Sequence, residues 1–179
     1  MERVVLVDEN DKELGTMEKM EAHQKGLLHR AFSVFIFNKN GEMLLQQRSL
    51  RKYHSGGLWT NACCSHPRKD ETPIDAAHRR LKEEMGFETS LKKAFDFTYK
   101  ANFSNGLSEY EFDHVFVGHY DGKVEPNFAE VESYAFRSLD RLDAGVKEYP
   151  DFFTEWFLIA YPKLKKWLKE NEFLNNRKL

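Results

Sequence analysis

The sequence predicts an α/β (α+β) fold, a mixed β-sheet with flanking helices, on three observations. Strand-like runs come in pairs around Asn-Gly turns, one well-capped helix separates the pairs, and an amphipathic helix closes the chain. The first element is Arg3–Val7, a short apolar run ended by the polar cluster Asp8-Glu9-Asn10-Asp11. Residues 31–38 (AFSVFIFN) and 43–48 (MLLQQR) flank Asn38-Lys39-Asn40-Gly41 and read as a hairpin. A loop is expected over 49–67, with Gly56-Gly57 in its middle. The clearest helix follows, with Thr72 as N-cap, Pro73 at the first helical position, Asp75 three residues after the cap and Gly86 at its end. Its Ile74, Ala77, Leu81 and Met85 fall on one face. Residues 95–101 and 109–120 form a second hairpin around Ser104-Asn105-Gly106, and 133–137 a further strand before a short helical turn near Asp140. Residues 154–171 carry helical periodicity through Trp156, Ala160, Leu164 and Trp167 or Leu168, with Pro162 expected to kink or divide the helix.

At 179 residues the chain fits one domain, 1–179, and no repeat or linker divides it. Hydrophobic residues at 41% against charged residues at 31% allow a core and rule out wholesale disorder. The 15 Phe, 7 Tyr and 3 Trp supply large buried areas, for a thick core or an apolar pocket. Lys and Arg number 27 against 29 Asp and Glu, a net charge of −2 that leaves no electrostatic footprint for nucleic acid. No apolar run approaches the roughly 18 residues of a membrane span, and the N-terminus lacks a signal peptide's apolar region. With two cysteines, the expectation is a soluble, cytoplasmic and reduced chain without membrane or nucleic-acid partner, monomeric or weakly dimeric.

Three constellations carry chemistry. Glu83 and Glu84 occupy the last turn of the central helix, where the macrodipole disfavours negative charge. Arg79 and Arg80 can each pair with a Glu four residues on. The face is either solvated charge or presents one carboxylate inward to hold a cation. In the strand from Glu109, period two puts Glu109, Glu111 and Asp113 on one face and Tyr110, Phe112 and His114 on the other. Three carboxylates about 7 Å apart repel one another unless a cation or protons intervene; an exposed acidic strand end is the plainer alternative. Tyr99 lies opposite Glu111 if the hairpin loop is odd and centred on Asn105, and an even loop flips that register. In Trp59-Thr60-Asn61-Ala62-Cys63-Cys64-Ser65-His66-Pro67, extended chain points Cys64 and His66 one way and Cys63 the other. Taken alone, either cysteine reads as a small buried hydrophobe, and His23 and His29, six apart, do not share a helix face.

Glu71, seven intervening residues and then Arg79-Arg80-Leu81-Lys82-Glu83-Glu84-Met85-Gly86-Phe87 resemble a degenerate Nudix box. Ser65 stands at the box's glycine position, and Arg80 replaces the glutamate that the hydrolytic members use for metal. Ala22-His23, His29-Arg30-Ala31-Phe32-Ser33, WTNACCSHP and Glu109-Tyr110-Glu111 occur in the order found in type 1 isopentenyl-diphosphate isomerases. The resemblance runs from about Glu2 to Trp156. It implies a Nudix-like mixed sheet sandwiched between helices, with an N-terminal strand and C-terminal helical additions.

The resemblance also implies roles by residue. His23, His29, His66, Glu109 and Glu111 would surround one divalent metal, Zn²⁺, Mn²⁺ or Mg²⁺. Glu84 would help hold a Mg²⁺ with the substrate's diphosphate, and Lys19, Arg48, Lys52 and Arg80 would face that diphosphate. Cys64 and Glu111 would move protons on opposite faces of a small-molecule substrate, isopentenyl or dimethylallyl diphosphate. Tyr99 would assist Glu111, and Trp156 would shelter a carbocation. A nucleoside-diphosphate hydrolase and a non-catalytic metal-binding module are the two alternatives.

Overall fold

The structure is a computed structural model and describes residues 2–52, 54–103 and 106–175. In order, the elements are β1 (Arg3–Val7), β2 (Glu13–Glu18), α1 (Lys19–Lys25), β3 (His29–Phe37), β4 (Met43–Arg48), β5 (Trp59–Thr60) and β6 (Cys63–Ser65). There follow α2 (Pro73–Met85), β7 (Leu91–Asn102), β8 (Ser108–His119), β9 (Val131–Arg137), α3 (Leu139–Glu148), a single 3-10 turn (Pro150–Phe152) and α4 (Glu155–Glu170).

Among the described residues the strands form one mixed sheet. Its centre is β3, a nine-residue run buried on both faces apart from Arg30. β3 runs parallel to β8 from His29↔Glu111 to Phe37↔His119, and antiparallel to β6 through Ser33↔Cys64. Alternation divides the core into two layers. Phe32, Val34 and Ile36 join Ala77, Leu81 and Met85 of α2, while Phe35 and Phe37 join Phe157, Tyr161 and Leu164 of α4. Buried on both sides, such a strand loses the polar alternation that marks a half-exposed one.

α2 starts and stops where its caps demand. Thr72 accepts from the Asp75 amide, Pro73 opens the helix, and Gly86 takes a left-handed φ of 77°. A Cβ at Gly86 would stand 2.2 Å from the Glu125 carbonyl oxygen, so only glycine fits that turn.

Four expectations needed correction, and one segment, 13–25, carried none. The Asn38–Gly41 turn forms, with Asn38 Oδ1 accepting from the Asn40 and Glu42 amides, yet β3 and β4 pair only at Phe37↔Met43. The strands diverge because β6 and β8 pair with β3 while β5 and β9 pair with β4. The supposed loop 49–67 contains β5 and β6, each too short to show a period. Residues 13–25 form β2 and α1; Glu18 caps α1 through the Glu21 amide, in sequence too polar to show a run. The turn near Asp140 is ten residues long, capped by Ser138. Pro162 does not divide α4, which continues as one helix while burying Trp156, Phe157, Ala160, Tyr161, Leu164 and Leu168. Pro162 itself faces solvent, so water can take the carbonyl left without its N–H partner. Of the second hairpin's turn, Ser104 and Asn105 lie outside the described residues, and Gly106 has a φ of 82°.

Candidate active site and metal centre

The site forms where β3, β6 and β8 lie side by side, on the face that α4 covers. Because β3 is flanked by β8 and β6, His29, Cys64 and Glu111 come from three neighbouring strands. α1 adds His23, and the chain leaving β6 adds His66. Four donor atoms, one each from His23, His29, His66 and Glu111, lie within 4.8 Å of one another, all from buried residues. His23 and His29 face each other Nε2 to Nε2 at 3.2 Å. Glu111 Oε1 lies 3.0 Å from His66 Nε2 and 3.4 Å from His29 Nε2.

The tautomer of His29 follows from its other nitrogen. Nδ1 stands 2.8 Å from the Leu27 carbonyl, which can only accept, so Nδ1 carries a hydrogen. In the neutral ring the Nε2 lone pair then points into the cluster, as a metal-ligating histidine requires. Three imidazoles and a carboxylate form a mixed nitrogen and oxygen set that fits a divalent metal. Without metal, burial works against charge on His29, but the Glu111 carboxylate outweighs it and holds the imidazole above its ordinary value. Burial pushes His23 down to about 3, with the neighbouring imidazoles adding to it, and pushes His66 down as well. Burial also opposes charge on Glu111, yet hydrogen bonds from His29 and His66 hold this carboxyl well below the usual range.

Of the two hairpin registers left open by the sequence, the structure has the one with Tyr99 opposite Glu111. The Tyr99 hydroxyl is 2.7 Å from Glu111 Oε2 and 3.2 Å from Glu109 Oε2. Glu109, Glu111 and Asp113 are all buried, which removes the exposed strand end as an explanation. Glu109, the fifth expected donor, is not one of the four clustered donors; its other oxygen lies 3.1 Å from His54 Nε2. Burial and the adjacent Glu111 charge raise its carboxyl to about 8. Asp113 is likewise raised to about 8, by burial first, and accepts from Ser33 Oγ at 2.7 Å.

A cavity of about 390 Å³ opens over this cluster. Cys64, Tyr99, Glu109, Glu111 and Trp156 are among the residues that line it. Burial raises the Cys64 thiol to about 12, so it is protonated at neutral pH. Cys63 points to the other side of the sheet, fully buried in the α2 layer. Trp156 sits in the first turn of α4 with the Arg48 guanidinium 5.0 Å from its ring centroid.

The mouth is basic. Lys19, Arg48, Lys52 and Arg80 all line the cavity, joined by Arg51 and Arg68, which sequence reading passed over. Lys19 pairs with Glu2 at 3.1 Å, and Lys52 pairs with Glu130. Arg80 reaches Glu83 at 2.7 Å and Glu84 at 2.5 Å. Glu84 is buried and faces inward, accepting from Gln46 Nε2 at 2.8 Å, whereas Glu83 stays half exposed. The helix end that disfavours a carboxylate thus directs one into the cavity. Five cavity residues have no sequence signal beyond their type: Glu2, Arg51, Arg68, Glu130 and His54 lie before strands or in loops, where no period announces direction.

The chain belongs to the NUDIX domain family, whose profile matches residues 27–157. Among solved structures it resembles one from Deinococcus radiodurans (TM-score 0.65, 22% identity, covering 80% of this chain and 90% of the other). It also resembles a MutT protein from Methanosarcina mazei (TM-score 0.64, 19% identity, 80% and 95% covered). Both likenesses concern the fold. Within the NUDIX family the chain belongs with the isopentenyl-diphosphate Delta-isomerases. It is 48% identical to the enzyme of that name from Burkholderia multivorans over 171 residues, covering 93% of this chain and 97% of the relative. The Pectobacterium atrosepticum enzyme of the same name is 50% identical, with 90% of each chain covered.

Proposed function

We propose that this chain, acting as one unit over 1–179, interconverts isopentenyl and dimethylallyl diphosphate by protonation and deprotonation through a tertiary carbocation. The observation that carries the reading is the shared cavity: a protonated thiol, Cys64, and an ionised carboxylate, Glu111, line it together with Trp156 and a set of basic side chains. Moving a double bond requires adding a proton to the terminal alkene carbon and removing a different one from the carbon beside the diphosphate arm. No redox partner or water takes part. An acid and a base must flank the bound chain before reaction, and we assign Cys64 and Glu111 to those roles, with Tyr99 hydrogen-bonded to Glu111. Trp156 faces the cation, which an aromatic ring stabilises without attacking it, by about 0.5–2 kcal/mol.

We assign His23, His29, His66 and Glu111 as ligands of one divalent metal, Zn²⁺, Mn²⁺ or Mg²⁺, with Glu109 as the adjoining fifth donor. Such an ion, when bound, fixes the Glu111 carboxylate and tunes its protonation. Glu84 would hold Mg²⁺ against the substrate's diphosphate, and Lys19, Arg48, Lys52 and Arg80 would neutralise the rest of its charge. Arg80 at a position where the hydrolase box carries glutamate supports retention, rather than cleavage, of the diphosphate. Among the described residues no helix is long and apolar enough to cross a membrane. A cytoplasmic setting, and action as a monomer or weak homodimer, complete the reading; an acid that is a thiol requires a reducing compartment.

The test is incubation with isopentenyl diphosphate and, separately, a panel of nucleoside diphosphates, followed by phosphorus and proton NMR. Dimethylallyl diphosphate without phosphate release supports the isomerase. Phosphate or nucleoside monophosphate release from the panel would replace it with a hydrolase.

A further inference from the structure

The segment between β4 and β5 carries a histidine that the motifs did not mark. Its ends are tied together: the Gly57 amide donates to Arg48 O, and the Arg48 amide to Leu58 O, each at 2.9 Å. Ser55 has a φ of +52°, and a Cβ at Gly56 would stand 3.0 Å from Leu50 O. This tight backbone turns His54 inward, where it is buried in the cavity wall. The ring stacks on Phe103, centroids 4.8 Å apart at 18°, and meets Trp156 edge-on at 5.9 Å and 85°. Between these aromatic groups the ring has a fixed plane. Nε2 lies 3.1 Å from Glu109 Oε1, and Nδ1 lies 3.2 Å from Ser55 Oγ. As an ionised metal donor Glu109 can only accept, so in the loaded site Nε2 carries the hydrogen and Nδ1 accepts from the serine hydroxyl. The other Glu109 oxygen stands 3.2 Å from the Tyr99 hydroxyl, which in turn donates to Glu111 at 2.7 Å.

We propose that His54 is a positioning residue for the isomerisation: held between Phe103 and Trp156, it grips Glu109 and thereby sets where Tyr99 and Glu111 stand in the cavity. The inference rests on the isomerase reading and adds to it a residue that touches neither the reacting carbons nor the diphosphate. It also makes one wall of the cavity continuous, from the tryptophan of α4 through His54 to the carboxylates of β8.

The test compares His54→Gln with His54→Asn. Glutamine keeps an amide N–H at the reach of Nε2, whereas asparagine is one methylene shorter and falls short of Glu109. His54→Asn is expected to lower kcat by about 10–100-fold, the usual loss when a group orienting a metal-site residue is removed. KM should change by less than about threefold, because the basic mouth still binds the diphosphate. His54→Gln is expected to keep most of kcat. Long-range ¹H–¹⁵N NMR of the Zn²⁺-loaded, histidine-labelled wild type gives a readout apart from turnover. The His54 signal, identified by its loss in His54→Gln, should show hydrogen on Nε2 and none on Nδ1. Unchanged kcat in His54→Asn, equal losses in both variants, or hydrogen on Nδ1 would each overturn the assignment. A wild type without isomerase turnover would overturn the broader reading, and the tautomer would still decide the His54–Glu109 bond.

Discussion

Adjacent cysteines on opposite sides of a strand should separate stability from catalysis. Cys63 is fully buried among Phe32, Val34 and Leu81 in the α2 layer, while Cys64 lines the cavity. Cys63→Ser puts a hydroxyl into that apolar cluster at a cost of about 1–3 kcal/mol. For a chain of this length that lowers Tm by about 2–12 °C, with kcat nearly unchanged. Cys64→Ala leaves the α2 and α4 core layers intact but deletes the thiol, which packs beside Tyr99 and Trp156. General acid or base catalysis contributes about 10²–10⁴-fold, about 3–5 kcal/mol of barrier at about 1.4 kcal/mol per tenfold. Calorimetry gives the first quantity, and NMR of isopentenyl diphosphate conversion the second. Comparable losses of kcat in both variants would refute the reasoning, because Cys64 would then have no role that Cys63 lacks.

Glu111→Gln keeps the shape but removes the charge that His29 and His66 share, and is expected to cut kcat by about 100-fold or more while weakening metal binding; an active variant would remove Glu111 from acid–base duty. Chelation should abolish turnover reversibly. Because Glu111 raises His29's affinity for a proton, metal must displace that proton, so affinity measured by calorimetry should fall as pH falls; a pH-independent affinity would contradict this. Alkylation of metal-free protein should follow the Cys64 thiolate. With the thiol raised to about 12 by burial, the rate should climb about tenfold per pH unit from 7 to 10, whereas a plateau above pH 9 would mean an ordinary thiol.

Sequence reading succeeded where local rules act alone. Thr72, Pro73 and Gly86 bound α2 through capping and φ preferences that need no partner, and period two alone groups Glu109, Glu111 and Asp113. Motif resemblance supplied what spacing could not, since His23, His29 and His66 meet only because α1, β3 and the chain after β6 converge. The misses have the same physical origin. β5 and β6 are strands because β3 and β4 offer open edges, not because two or three residues declare a pattern. Likewise α4 runs through Pro162 because its buried face outweighs one lost hydrogen bond. His54 was illegible for a related reason: its direction is set by the Ser55–Gly57 turn and by Phe103 and Trp156, which lie about 50 and 100 residues further along the chain.

The most direct measurement is proton NMR of isopentenyl diphosphate with purified protein and Mg²⁺ in heavy water. The account predicts dimethylallyl diphosphate bearing deuterium in a methyl group, formed by the wild type and lost in Cys64→Ala. Product without solvent deuterium, or no product under Mg²⁺, Mn²⁺ or Zn²⁺, would contradict it.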